Sequence, residues 1–271
     1  MTNERKVYNG ASESCHWYDE NGIAKHEVES ADGKKMVKTT LTQAKKLGLY
    51  PSVTSIFKIL DKHGVNEWKL DLLLKVIQET NNTGKGLSTY AFKKMLLEQS
   101  EEERTQGANE GTEIHKAVEK YLVGNIQSDS AKYQLISQRV QDIIASYSEG
   151  ICTTFCEQSF TNQIFGYAGC VDIISEGSEY TVVADLKTTT TKNYDSYLKK
   201  PYDEWIMQLA AYKRFPYFVD KNVKILSIVA NRDNGDVGVY EWSGEDDTRG
   251  WNMFSNLLKY YQLKNNFKGG K

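Results

Sequence analysis

The period of the apolar positions changes near residue 150, from a helical spacing before it to a strand-like spacing after it. Residues 1 to 40 are polar and irregular, with short strand-like pieces. Pro51 then opens a new segment, in which Ser52 or Thr54 is placed to cap a helix carrying Ile56, Phe57, Ile59 and Leu60. Trp68, Leu70, Leu72, Leu73, Leu74, Val76 and Ile77 continue with helix-like apolar density. Tyr90 to Leu97 reads as a further helix, followed by the charged stretch Glu101 to Arg104. Residues 107 to 122 give a clearer one, with Ile114, Val118, Tyr121 and Leu122 at helical spacing, and residues 131 to 147 another.

Beyond this point Val, Ile, Thr, Tyr and Phe concentrate in segments 151–160, 167–174, 179–187, 223–231 and 236–242, which predict strands. Glu176 to Glu179 is a turn joining two of them, and Asp233-Asn234-Gly235 is a turn signal between the last two. Helices are expected over 202–214 and 250–263. A helical part, a three-strand meander, a crossover helix and further strands make an α/β plan.

Composition changes this picture little. The 271 residues suffice for one large domain or a core with a sizeable appendage. The net charge of −2 removes basicity as an argument for a nucleic-acid partner without excluding a local basic groove. The opening MTNERKVYNG has no apolar run, and no stretch approaches the roughly 20 apolar residues of a membrane span. The expected location is therefore cytoplasmic, with no membrane partner. Cys15, Cys152, Cys156 and Cys170 read as reduced, small packing residues.

The chemistry concentrates on one strand, Tyr180 to Lys187. Side chains alternate along a strand, so Asp185 and Lys187 point the same way, about 6.6 Å apart, with Val183 on the same face. Thr188 to Thr191 is expected to end the strand in a polar loop, where chemistry usually sits. Counting back from the meander turn puts Asp172 opposite Asp185, within a few residues. Two carboxylates on adjacent strands can share a hard cation, with the Leu186 carbonyl as a third oxygen. A lone D-x-K is better read as an ordinary acid–lysine surface pair. Its company alters that: His115 with Glu119 at i+4 on the 107–122 helix, Glu157 on a strand sharing a face with Phe155 and Ser159, and the stripe Trp205, Gln208, Tyr212 on the 202–214 helix. Such a stripe is commonly core, but a buried Gln208 amide needs partners.

In order, these residues resemble the PD-(D/E)XK nuclease superfamily in its RecB-like branch: a helical histidine (His115), a glutamate (Glu157), G-x-x-D (Gly169 to Asp172), D-x-K (Asp185 to Lys187) and Q-x-x-x-Y (Gln208 to Tyr212). The match spans roughly residues 105 to 215. The segment Pro51 to Ile56 with Trp68 downstream, and the hairpin Ala230-Asn231-Arg232 to Tyr240-Glu241-Trp242, are similar to phage and mitochondrial-type single-strand exonucleases of that branch.

The resemblance implies a restriction-endonuclease-like core, a mixed sheet flanked by helices, over 105–271, with a mainly helical region 1–104 that arches over a DNA end. It implies one or two Mg²⁺ or Mn²⁺ ions held by His115, Asp172, Asp185 and the Leu186 carbonyl, with Glu157 serving a second ion. Lys187 would act on the nucleophile, positioned by Gln208 and Tyr212. Relatives with an iron–sulfur cluster place cysteines at both ends of the core, a pattern absent here, so no such cluster is expected. The implied partner is DNA, as single strands or duplex ends, in recombination or repair, with a phage-encoded enzyme acting in a host cytoplasm as one setting. Lys192, Lys199 and Lys200 are the expected phosphate contacts, and Trp68 and Tyr90 are placed to stack on unpaired bases. An endonuclease or junction resolvase, and a non-catalytic DNA-binding protein, are the competing readings. Oligomeric state and polarity are left open.

Overall fold

In a computed structural model, the structure describes residues 16–30, 32–60, 70, 74, 77, 88–149 and 152–270. Short strands hold the start of the described chain. β1 (Trp17–Tyr18) pairs with β4 (Tyr50–Pro51), and β2 (Glu27–Glu29) pairs with β3 (Met36–Lys38), all antiparallel. Between β3 and β4 lies helix α1 (Leu41–Leu47), whose capping box is formed by Thr40 and Gln43. Of the two expected caps it is Ser52 that caps the short helix α2 (Val53–Ile56), which ends before Phe57 and Ile59; these lie in the 3-10 turn Phe57–Ile59 that follows. Trp68 and most of the apolar run around it lie outside the described residues; Leu70, Leu74 and Ile77 are helical.

The two helices expected at 90–97 and 107–122 are one, α3 (Thr89–Gly124). The intervening Glu98 to Gln106 contains neither proline nor glycine and is rich in strong helix formers, so nothing breaks the run. Helix α4 (Ala131–Ser148), capped by Ser130, follows. Two compact units result: one runs to Lys58 and resumes at Ile114, and the other spans Ile59–Glu113.

The β-rich half forms the expected mixed sheet, in the order β5 (Thr153–Asn162), β6 (Tyr167–Glu176), β7 (Thr181–Thr189), β8 (Val223–Asn231), β9 (Val237–Glu241). The β7–β8 pair is parallel and the other neighbours are antiparallel. The parallel pair needs a crossover, supplied by α5 (Thr191–Lys199) and α6 (Asp203–Lys213). Helix α5 corrects the sequence reading of a polar loop: Thr188 and Thr189 stay in the strand, Thr190 is the N-cap, and Tyr194 and Leu198 pack back onto β9 at Gly238. Helix α7 (Gly244–Asn265) closes the described chain, begun by a Ser243–Asp246 capping box.

Helices flank both faces. On one, Ile114 and Val118 of α3 and Ile136, Val140 and Ile144 of α4 pack on Cys156, Ile173, Val182, Ala184, Leu186, Leu226, Ile228 and Ala230. On the other, α6 lies between sheet and α7. Every residue from Trp205 to Tyr212 is buried, so the expected single stripe is in fact a helix covered all round. A Cβ on Gly250 of α7 would lie 2.7 Å from the Ile206 side chain, which shows how closely these two helices meet. Among the described residues no helix is long and apolar enough to cross a membrane.

Candidate active site

The site lies where the sheet parts. The β6–β7 ladder runs from Glu176↔Thr181 to Ile173↔Ala184 and stops there, although both strands continue. β6 remains paired with β5, and β7 with β8, so two halves of the sheet diverge. The next position on each strand is an acid, Asp172 and Asp185. Asp172 replaces the missing ladder bond with its side chain, Oδ2 accepting from the Leu186 N–H at 2.9 Å. On its other side the β5–β6 ladder skips one pair, Glu157 with Asp172. Glu157 has φ +51°, the left-handed region, inside a strand. The simple alternation that set Glu157 beside Phe155 and Ser159 is thus broken at Glu157 itself.

These distortions collect ligand-type atoms. One atom each from His115, Glu157 and Asp172 lies within 4.8 Å of the others. His115 Nδ1 is 3.9 Å from Asp172 Oδ2. It arrives from α3, packed on the face of the sheet opposite α6, and reaches Asp172 through the parting. Asp185 is only 1% exposed. Its Oδ1 accepts from Gln208 Nε2 at 2.8 Å. Its Oδ2 lies 2.6 Å from Lys187 Nζ, yet off the line of a directed hydrogen bond, so this buried oxygen retains acceptor capacity. Imidazole nitrogen with carboxylate oxygens, one of them incompletely satisfied, fits a hard divalent cation such as Mg²⁺ or Mn²⁺.

Gln208 ties the pair together. Its amide nitrogen donates to Asp185 Oδ1 and, at 3.0 Å, to Tyr212 Oη, while Oε1 accepts from Lys187 Nζ at 3.4 Å. The reverse amide orientation would set oxygen against carboxylate. Gly169 explains the fit of Tyr212, since a Cβ there would lie 2.6 Å from Tyr212 Cε1. The tyrosine ring therefore occupies the wedge beneath the diverging β6.

Burial leads the electrostatics of the site, and neighbouring charges follow. Burial raises the Asp185 carboxyl to about 6, with Lys187 opposing and Asp172 adding to the rise. Burial, then Asp172, with Glu119 and Asp185 behind it, pushes Glu157 up to about 8, while the Cys170 thiol pulls it down. The Glu157 side chain is crowded by protein yet open to water, so solvent softens that rise. Lys187 is held above its ordinary value by Asp185 and Asp172 against the effect of burial, and so stays charged. Burial holds Tyr212 well above its ordinary value, and so protonated.

Of the sequence-predicted residues, His115, Glu157, Asp172, Asp185, Leu186, Lys187, Gln208 and Tyr212 come together. Lys192, Lys199 and Lys200 stand exposed on α5 and just past its end. Trp68 lies outside the described residues, and Tyr90 is exposed on α3. Sequence reasoning missed Cys170, whose Sγ donates to Glu157 Oε2 at 3.3 Å. It sits at the first variable position of G-x-x-D, where only the register with Ser159 would have pointed to it.

No family profile matches the chain, and no curated protein does. Among solved structures, a protein from Eubacterium rectale provisionally described as an exonuclease is 14% identical, with TM-score 0.41, over 58% of this chain and 68% of its own. An alkaline exonuclease from Laribacter hongkongensis is 13% identical, with TM-score 0.34, over 57% of this chain and 81% of its own. At such TM-scores the functional reading rests on the geometry of the site.

Proposed function

We propose that this chain is a divalent-metal-dependent DNA exonuclease hydrolysing phosphodiester bonds in single strands or at DNA ends. The observation that carries the reading is the convergence of His115, Glu157 and Asp172 within 4.8 Å, beside the Asp185–Lys187 pair. A surface ion pair has no use for three further ligand-type side chains and a buried glutamine.

His115, Glu157, Asp172 and Asp185, with the Leu186 carbonyl, would hold one or two Mg²⁺ or Mn²⁺ ions. A bound ion of this type neutralises phosphate charge and lowers the pKa of water at the site. The chain's own residues do the rest. Lys187 presents a fixed positive charge that orients the attacking water and offsets negative charge on the phosphorus oxygens. Gln208 holds the Lys187 and Asp185 rotamers, and Tyr212 anchors Gln208 from below. The resemblance of the ordered motifs to RecB-like nucleases supports digestion from ends.

The test is an assay with end-labelled linear and circular DNA, single-stranded and duplex, in Mg²⁺ and in Mn²⁺. Linear strands should be degraded and circles spared, and Asp185→Ala should abolish cleavage while DNA binding persists. Efficient cutting of circles would favour an endonuclease or junction resolvase. Intact DNA with the wild type in both metals would favour a non-catalytic DNA-binding protein.

A further inference from the structure

Beside Lys187 lies a group of three aromatic rings that the catalytic constellation does not use. Tyr197 of α5 meets Tyr202 and Trp205, each with centroids 5.3 Å apart, and Tyr202 meets Trp205 at 5.9 Å. All three contacts are edge-on, with interplanar angles of 63°, 87° and 78°. An edge-to-face contact sets the edge of one ring against the face of the other and fixes both. Trp205 is buried at 8% exposure, and Lys187 Nζ lies 6.0 Å from its ring centroid, so the group adjoins the acid–lysine site. Tyr202 is 50% exposed.

Its position is well determined for an exposed side chain. Tyr202 follows Pro201 and is the N-cap of α6, with extended backbone at φ −68° and ψ 146°. Its ring is braced edge-on by two neighbours, Tyr197 of α5 and Trp205 one turn into α6. The ring is therefore preorganised, with little rotamer freedom left to lose on binding. Lys199 and Lys200 stand just before Pro201, both exposed. Of the nearest acids, Asp203 is engaged by Arg249 at 2.7 Å.

We propose that Tyr202, backed by Tyr197 and Trp205, stacks on an unpaired nucleobase of a single DNA strand whose backbone lies at the Lys187 site. This rests on the nuclease reading above and names its substrate class. A base inside a duplex is stacked on its neighbours and offers no face to Tyr202, so the platform selects unpaired strand. Base–aromatic stacking is indifferent to which base is presented, as every base has a π-face. Lys199 and Lys200 supply phosphate attraction alongside.

The test is equilibrium binding of the full chain, with divalent metal chelated so that no cleavage occurs. One probe is a fluorescent oligothymidylate, and the other is an abasic oligomer of equal length and charge. The wild type should bind the thymidylate more tightly. Tyr202→Ala should weaken thymidylate binding by about 5- to 100-fold and leave abasic binding unchanged. Tyr202→Phe, which keeps the ring, should bind like wild type and guards against a folding artefact. Equal wild-type affinity for both probes, no binding of either, an equal loss of both in Tyr202→Ala, or a loss in Tyr202→Phe would each overturn the proposal. Base preference retained by a wild type that cuts nothing in Mg²⁺ or Mn²⁺ would sink the nuclease reading and leave this platform standing.

Discussion

Replacing Glu157 by Gln separates the cost of the acidic cluster from its use. The variant keeps the shape of the side chain and an oxygen to accept the Cys170 S–H, and removes one charge. In the metal-free protein Glu157 resists ionisation, rising from an ordinary 4.5 to about 8 through burial and then through Asp172. For a dry group that rise would correspond to ~5 kcal/mol at about 1.4 kcal/mol per pH unit. Glu157 is open to water, so screening cuts this to about 1 kcal/mol. The sign follows from linkage. Below about pH 4.5 folded and unfolded chains both carry the proton and nothing is lost. Above it the unfolded chain ionises first, and stability declines until the folded carboxyl ionises as well. Glu157→Gln has no such decline, so its advantage should grow between these limits and stay level above them. At ~2–4 °C per kcal/mol for a chain of this size, the metal-free variant should melt about 2–4 °C above wild type near pH 8. A divalent ion at about ten times its Kd should add ~1.4 kcal/mol to wild type and little to the variant, reversing the order. Melting curves from pH 5 to 9, with chelator and with Mn²⁺, read both effects. A metal-free wild type more stable than the variant near pH 8, or equal Mn²⁺ responses, would refute the reasoning.

Three further outcomes are expected. Lys187→Met should keep the Mn²⁺ melting response, because no proposed ligand is removed, and lower the cleavage rate by ~10²–10³-fold in single-turnover assays. Gly169→Ala forces a Cβ to within 2.6 Å of the Tyr212 ring and should cost ~1–3 kcal/mol in chemical denaturation, with cleavage falling as Gln208 loses its anchor. Cys170→Ala removes the donor to Glu157 Oε2 and should weaken Mn²⁺ binding ~10-fold by calorimetry, whereas Cys170→Ser keeps a donor and should lose less.

What could be read from the sequence was what local geometry decides. The turn between β6 and β7 is short, so counting from it paired Asp172 with Asp185, and strand alternation set Lys187 beside Asp185. The contribution of His115 depends on a helix packing across a sheet, which no local period encodes; only the order of the motifs suggested it. At Glu157 the identity of the residue misleads, because a left-handed backbone is ordinarily signalled by glycine. The aromatic group was hidden by the four threonines at 188–191, whose β-branched and polar character argued for strand and loop and concealed α5. Between 98 and 106 the reading failed in the opposite sense: charge was taken for a break, though glutamate and arginine propagate helices well.

The parting of the sheet explains why so much like charge is tolerated in one place. A regular ladder would set Glu157, Asp172 and Asp185 abreast on one face, about 5 Å apart, under the buried Trp205–Tyr212 stretch of α6. Three such carboxylates could not all stay ionised. The ladder gaps on both sides of Asp172 avoid this arrangement. They turn Glu157 toward water, free the Leu186 N–H for the Asp172 carboxylate, and admit His115 from the far face. The left-handed backbone at Glu157 costs about 1–2 kcal/mol, and folding alone gives no return for it. In a binding site it does: strain held in the empty state keeps the donors from collapsing onto one another. On this account neutralising an acid stabilises the chain and disables it, and a bound cation restores the same stability without that loss.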